Sequence, residues 1–181
     1  MKIYVFLAEG FEELEAIAPI DVFRRAELEV LTVSITDKKE VTGAHGITVL
    51  ADTIFADNSF EEDSLLFLPG GMPGTTNLDN HTGLKTLIKK HADSKQKLAA
   101  ICAAPLVFGK LGLLQGKDAI CYPGFESQLN GAHLSSQLCV KADTVYTAKA
   151  AGAALEFALM LVADLKGKDT AQSIRAAMFI A

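Results

Sequence analysis

The chain has 181 residues, half of them apolar, with a formal net charge of -5. This length and composition predict one globular domain over residues 1–181, and we expect no signal peptide or membrane span. The three cysteines, an odd number at wide spacing, fit a reducing environment, so we expect a cytoplasmic location. The negative charge argues against nucleic acid and against an anionic membrane as partners.

The first third of the chain alternates strand and helix patterns. Residues 2–8 are a continuous apolar run, which is typical of a strand buried on both faces of a parallel sheet. Apolar residues at helical spacing predict an amphipathic helix over residues 12–26, and residues 28–35 form a second buried strand. Two short extended pieces in residues 41–50 predict a hairpin laid over the sheet.

The rest of the chain continues this alternation. Residues 64–68 are predicted as a strand that runs into a glycine-rich loop, and residues 97–101 as a strand that leads into a helix over 103–111. The pattern predicts a flavodoxin-like, doubly wound α/β sandwich with a mostly parallel sheet and helices on both faces. The remaining elements are predicted as strands at 119–121, 138–141 and 145–147 and as helices at 78–80, 82–91, 125–129, 151–164 and 170–177.

Ligands in such sheets bind beyond the carboxyl ends of the strands. Four loops are expected to meet there: residues 9–15, Gly70-Gly71, Cys102 and Tyr122-Pro123. The glycine loop offers backbone N–H groups to a ligand, although it lacks the spacing of a nucleotide-binding loop.

Cys102 follows a predicted buried strand and precedes a predicted helix. The free N–H groups and the positive dipole end of such a helix lower the pKa of a thiol, which predicts a reactive cysteine on a nucleophile elbow. The alternative is that Cys102 is one more small buried residue. For Cys121 and Cys139 we expect buried core thiols, and the wide spacing of the three cysteines argues against disulfides and a zinc site.

Glu15 lies roughly one helical turn after Phe11 and has apolar neighbours. Its carboxyl is therefore predicted to point inward toward Cys102, with a raised pKa, and to donate a hydrogen bond to a thiolate. Glu12 and Glu13 are interpreted as a solvated helix start.

The order and spacing of these pieces, over essentially the whole chain, resemble the ThiJ/PfpI superfamily, in particular the branch of the parkinsonism-associated protein and its bacterial relatives. The fold of that superfamily is similar to class I glutamine amidotransferases. The motifs that carry the resemblance are LAEGFEELE at 7–15, DVFRRA at 21–26, LPGG at 68–71, AAICAAP at 99–105 and EFAL at 156–159.

The resemblance implies a role for several residues. Cys102 matches the easily oxidised cysteine of the family, and Glu15 the protonated glutamate bonded to its sulfur. The N–H groups of Gly70, Gly71 and Ala103 match donors that hold an oxyanion. Arg25 matches a basic residue near the pocket and the dimer interface. The family further implies a homodimer without a metal or an organic cofactor.

The sequence departs from the family pattern in three places. One is the glycine- and proline-rich turn near the crevice, which reads KAAG at 149–152. Tyr122 stands before Pro123 where many members have histidine, and a phenol with a pKa near 10 is a poor proton shuttle at neutral pH. His45 replaces a basic arginine of the pocket. The remaining histidines, His81, His91 and His133, show no ligand spacing.

Two functions remain open at this point. The first is an enzyme that converts small dicarbonyls, with Cys102 as the nucleophile, glyoxalase and deglycase activities being attributed to the family. The second is a redox-responsive stress or chaperone-like protein whose Cys102 is oxidised to a sulfinate. Both functions require the pair of Glu15 and Cys102.

Overall fold

The computed structural model describes residues 1–180 and confirms the mostly parallel α/β architecture. Seven strands form the central sheet in the order β10-β11-β7-β6-β1-β2-β5, and all neighbours are parallel except β10 and β11. These strands are β1 (Lys2–Leu7), β2 (Glu29–Ser34), β5 (Thr53–Ile54), β6 (Ser64–Leu68), β7 (Lys97–Ile101), β10 (Cys139–Ala142) and β11 (Val145–Ala148).

Two small sheets lie outside the central one. The predicted hairpin is β3 (Glu40–Thr42) paired with β4 (Thr48–Leu50), and β8 (Asp118–Ala119) pairs with β9 (His133–Leu134). The helices are α1 (Glu13–Arg25), α2 (Gly74–Asn80), α3 (Thr82–Asp93), α4 (Pro105–Lys110), α5 (Ala154–Lys166) and α6 (Lys168–Ala177).

The sheet is buried on both faces because its inner strands carry apolar residues at almost every position. In β1, Ile3 and Val5 pack into one cluster with residues of α1, α5 and α6, and Tyr4 and Phe6 pack into the other cluster with residues of α2, α3 and α4. The alternation follows from the period of two in a strand. The continuous apolar run at the start of the chain is therefore a two-sided core strand, as predicted.

Several predicted boundaries are wrong by a few residues. Helix α4 begins at Pro105 rather than at residue 103, and α5 begins at Ala154 after a 3₁₀ turn over Ala151–Ala153. Strands β5 and β9 have only two residues each and were not predicted. No helix within residues 1–180 is long and apolar enough to cross a membrane.

Candidate active site

The loops at the carboxyl ends of the parallel strands meet around Cys102. The N–H of Cys102 donates to the carbonyl of Ala148 at 2.9 Å, and its carbonyl accepts from the N–H of Tyr122 at 2.7 Å. On the other side, the N–H of Glu12 donates to the carbonyl of Gly70 at 3.0 Å. The predicted convergence of four loops is therefore confirmed.

Cys102 occupies a strained backbone conformation. Its φ is +65°, in the left-handed region that costs a residue with a Cβ about 1–2 kcal/mol. The two backbone hydrogen bonds to Ala148 and Tyr122 hold it there. The thiol thus lies on a sharp turn directly after β7. Because α4 begins at Pro105 and not at residue 103, Cys102 does not directly precede the helix as predicted.

Glycine is required at position 70 because two side chains approach it closely. A Cβ there would lie 2.5 Å from Oε2 of Glu15 and 2.7 Å from the Cβ of Cys102. The next glycine, Gly71, has a φ of +88°, and a Cβ on it would lie 2.3 Å from the backbone nitrogen of Glu12. The glycine loop therefore allows α1 and the cysteine turn to approach one another.

Glu15 is fully buried in the first turn of α1, as predicted. Its Oε2 accepts a hydrogen bond from the N–H of Gly70 at 2.9 Å, whereas its Oε1 has no hydrogen-bond partner. Burial raises the pKa of Glu15 to about 7, and the Glu12 carboxylate also raises it. The carboxyl is therefore poised between its two protonation states near neutral pH. A hydrogen bond with Cys102 lowers the pKa of Glu15 and raises that of the thiol, so the thiol donates to the carboxylate, whereas the sequence predicted donation from the carboxyl to the sulfur.

The thiol of Cys102 is less acidic than predicted. Burial raises its pKa to about 12, the Glu15 charge adds to this, and the N–H groups of Ala103 and Gly71 offset only part of it. Burial also raises the pKa of Cys121 to about 11 and that of Cys139 to about 12. For Cys102, burial therefore outweighs the N–H neighbours that were expected to lower its pKa, and the pKa values of all three thiols are raised.

The three predicted backbone donors differ in their availability. The N–H of Gly70 is occupied by Glu15 and is not free for an oxyanion, which corrects the prediction for this residue. The N–H groups of Gly71 and Ala103 lie against the sulfur of Cys102. These two groups are the donors that a negative charge next to the sulfur would meet.

Tyr122 contributes its backbone to the site. Its N–H fixes the Cys102 carbonyl, while its side chain is 46% exposed and its hydroxyl has no hydrogen-bond partner in the described part of the chain. Arg25 lies at the exposed end of α1, where it pairs with Asp21 at 2.7 Å. Because ten residues of helix separate it from Glu15, Arg25 lies about 15 Å along α1 from the crevice of its own chain.

A pair of a buried glutamate and an exposed histidine that the sequence did not reveal lies beside this crevice. Glu13 is buried, and its Oε2 lies 2.8 Å from Nδ1 of His45, 32 positions away in the chain. Its Oε1 accepts from the backbone N–H groups of His45 at 2.8 Å and Ile47 at 3.4 Å. The interpretation of Glu13 as part of a solvated helix start is therefore wrong.

Glu12 is partly buried and caps α1 by accepting the N–H of Glu15 at 2.9 Å. Among residues 1–180, the ligand atoms of Glu12, Glu13 and His45 form the one group of this kind that is close enough to hold a metal ion, all within 4.8 Å of one another. The Glu13 carboxylate already accepts hydrogen bonds from the hairpin, so a metal would compete with them. The expected absence of a metal and of a cofactor stays a prediction.

Comparison with known proteins places these features in a family. The sequence pattern of the DJ-1/PfpI family matches residues 1–164. Protein DJ-1 homolog B of Arabidopsis thaliana is 37% identical over 175 residues, which cover 96% of this chain and 40% of that protein. The chain thus spans less than half the length of this relative. Protein dj-1beta of Drosophila melanogaster is 31% identical, with 98% of this chain and 96% of that protein covered.

The solved structures agree with this result. Oxidized DJ-1 of Toxoplasma gondii superposes with a TM-score of 0.94 at 33% identity, covering 99% of this chain and 98% of the other. A relative from Pyrococcus abyssi that is named a deglycase is 30% identical over 132 residues, which cover 73% of this chain and 78% of that protein.

Proposed function

Because the chain belongs to the DJ-1/PfpI family, we propose that it is a cofactor-independent enzyme that converts small dicarbonyls such as methylglyoxal to hydroxy acids, with Cys102 as the nucleophile. The observation that carries this proposal is the contact at Gly70, where a strained cysteine and a fully buried carboxyl with a raised pKa lie side by side. Perturbed groups that meet in a crevice mark functional sites.

The first step forms the bond between Sγ of Cys102 and the aldehyde carbon. A thiol with a raised pKa needs a base, and the Glu15 carboxylate accepts its proton as the bond forms. The aldehyde oxygen becomes an oxyanion, which the N–H groups of Gly71 and Ala103 stabilise until Glu15 returns the proton to it. The product of this step is a neutral hemithioacetal.

The second step is an internal oxidation and reduction. Glu15 removes the proton from the former aldehyde carbon and returns a proton to the neighbouring carbon, while the hydroxyl proton on the first carbon passes to the oxygen of the second. The first carbon becomes a thioester and the second an alcohol, so no external oxidant is needed. Water then breaks the bond between sulfur and carbon, which releases the hydroxy acid and restores the thiol. The Pyrococcus abyssi relative is named a deglycase, which supports the enzyme over a protein without turnover.

A redox function is the second candidate. Oxygen atoms added to the Cys102 sulfur would meet the N–H groups of Gly71 and Ala103, and Oε1 of Glu15, which lacks a partner, could donate to them when protonated. Oxidized DJ-1 of Toxoplasma gondii agrees with this candidate.

The protein is proposed to act as a homodimer, as the resemblance implies. The apolar residues that α1 and the hairpin expose are Leu14 and Ile17, together with Ile47 and Leu50. An exposed apolar patch on two neighbouring elements is typical of an interface, and a second copy of the chain is the expected partner. Pro19, Ile20 and Phe23 of the same helix are expected from the sequence to supply this surface, but all three are buried within the chain.

The decisive experiment compares the purified protein with Cys102→Ser. Turnover of methylglyoxal by the wild type and none by the variant supports the enzyme. Equal rates contradict it. If neither protein turns over methylglyoxal while mild peroxide adds two oxygen atoms to Cys102 in the mass spectrum, the redox function takes its place.

A further inference from the structure

The pair of Glu13 and His45 takes no part in the steps above. Its ring nitrogen Nδ1 lies 2.8 Å from a carboxylate that is ionised, since hydrogen bonds from the hairpin overcome the effect of burial and keep the pKa of Glu13 below its usual value. Nδ1 must therefore carry a proton and donate it. Nε2 has no hydrogen-bond partner among the described residues, and the His45 side chain is 70% exposed.

The loop that carries His45 is fixed next to the crevice. The N–H of Ala44 donates to the carbonyl of Phe11 at 2.7 Å, and a Cβ on Gly71 would lie 2.7 Å from the carbonyl carbon of Phe11. The N–H of Gly71 in turn lies against the Cys102 sulfur. One backbone segment therefore separates the His45 loop from the loop that contacts the sulfur.

We propose that Glu13 and His45 form a carboxylate–imidazole dyad that activates water for the last step, hydrolysis of the thioester on Cys102. This inference rests on the proposed function. Nε2 of His45 takes a proton from water as the oxygen bonds to the thioester carbon. The bond between that carbon and Sγ then breaks, and the proton passes to the sulfur. The hydroxy acid leaves, and both side chains return to their starting states.

The two proposed acid–base groups, Glu15 and His45, differ in solvent exposure, and each exposure suits the step proposed for that group. Glu15 has no exposed surface, which suits proton transfer between carbons and excludes bulk water, whereas His45 is exposed, which suits the activation of water. A carboxylate that orients the other ring nitrogen is the usual support for such a histidine. This dyad would perform the task that Tyr122 is poorly suited to perform.

The carboxylates of Glu13 and Glu12 both raise the pKa of His45, against a smaller opposite effect of burial. The hydrogen bond and the charge of Glu13 raise the pKa of His45, and Glu12, whose Oε1 is 3.9 Å from Nδ1, adds to this. Glu9, which accepts the N–H of Thr42 at 3.2 Å, is the carboxylate that meets the hairpin from the preceding loop. Loss of the Glu13 charge is therefore expected to lower the pKa of His45.

The test is methylglyoxal turnover combined with the intact mass of the quenched protein. With His45→Gln we expect kcat to fall at least tenfold, and Cys102 to carry an adduct with the mass of one methylglyoxal, because the thioester forms and is not hydrolysed. Imidazole added to His45→Ala should restore part of the rate.

With Glu13→Gln, the acidic limb of the pH–rate profile should move to lower pH. The matched control is His133→Gln. His133 is exposed like His45 and also lies beside a carboxylate, Asp118 at 3.6 Å, but it belongs to β9, outside the loops that meet around Cys102.

The possible failures are distinguishable. If His45→Gln turns over like the wild type and no adduct appears, the dyad is overturned while the proposed enzyme stands. If the wild type shows neither turnover nor adduct, the proposed enzyme fails and the dyad fails with it. If His45→Ala loses activity but imidazole restores nothing and no adduct accumulates, the ring has only a structural role.

Discussion

The first turn of α1 buries two glutamates, Glu13 toward the hairpin and Glu15 toward the sheet. The pKa values of their carboxyls are shifted in opposite directions. On the hairpin side, Glu13 accepts hydrogen bonds from His45 and Ile47, and although burial favours the neutral form, these bonds lower its pKa. On the sheet side, Glu15 accepts one backbone hydrogen bond, from Gly70, and contacts the Cys102 thiol, but burial outweighs both and raises its pKa to about 7.

The difference between these two sites shows that burial alone does not decide the charge of a carboxyl. Each hydrogen bond donated to a carboxylate stabilises the ionised form, so the number of donors around the group decides the outcome. The hairpin supplies several donors, whereas the glycine loop supplies one and leaves an oxygen without a partner. The first site is therefore suited to orienting a cation, and the second to giving and taking a proton.

Removing the transferable proton of Glu15 tests the sheet side most strongly. Glu15→Gln keeps the size of the side chain, and we expect kcat/KM for methylglyoxal to fall about 10²- to 10⁴-fold, the usual contribution of a general acid–base group. The pKa of Cys102 should fall at the same time, because the Glu15 charge contributes to raising it. Alkylation of Cys102 measured against pH should therefore become faster near pH 8 as turnover is lost. An unchanged alkylation profile would show that the two groups are not coupled.

The pH dependence of stability should have opposite signs for the two glutamates. The folded pKa of Glu15 lies above that of the unfolded chain, so its contribution is fully present below about pH 4.5 and is lost as the pH rises to about 7. That shift corresponds to about 3 kcal/mol. The folded pKa of Glu13 is lowered, so its contribution is present above about pH 4.5 and is lost as the pH falls through the folded value.

Urea unfolding of the wild type, Glu13→Gln and Glu15→Gln between pH 3.5 and 8 separates these contributions. Glu15→Gln should be more stable than the wild type at pH 8 and similar to it at pH 4. Glu13→Gln should be less stable than the wild type at pH 8, and the difference should shrink as the pH falls. If both variants change stability in the same direction at pH 8, the assignment of opposite protonation states is wrong.

The sequence predicted the features that depend on local pattern. Continuous apolar runs identified the buried strands, and the strand order along the chain placed Glu15, Gly70 and Cys102 at one edge of the sheet. The dyad escaped prediction because Glu13 and His45 are 32 positions apart and are joined only when the hairpin folds onto α1. The acidity of Cys102 was predicted from its place before a helix, but burial and a neighbouring charge, which depend on tertiary packing, raise its pKa instead.

The smallest expected effect is the loss of stability when a glycine beside each carboxylate is replaced by alanine. The two losses compare the rigidity of the sheet edge beside Glu15 with that of the hairpin beside Glu13. A Cβ at Gly70 would meet Oε2 of Glu15 at 2.5 Å and the backbone oxygen of Ile101 at 2.8 Å, and neither can move far inside the sheet edge. Gly70→Ala should therefore destabilise the protein by about 1–3 kcal/mol, the usual range for overpacking, and impair Cys102 chemistry.

A Cβ at Gly43 would meet Oε1 of Glu13 at 2.4 Å. Because the hairpin lies on the surface and can shift, Gly43→Ala should destabilise the protein less than Gly70→Ala, while weakening the dyad. The control is Gly152→Ala, since no atom lies within 4 Å of its added Cβ. Thermal unfolding of the three variants should rank them in this order, with Gly70→Ala the least stable, and an equal loss at positions 43 and 70 would mean that the hairpin is as rigid as the sheet edge.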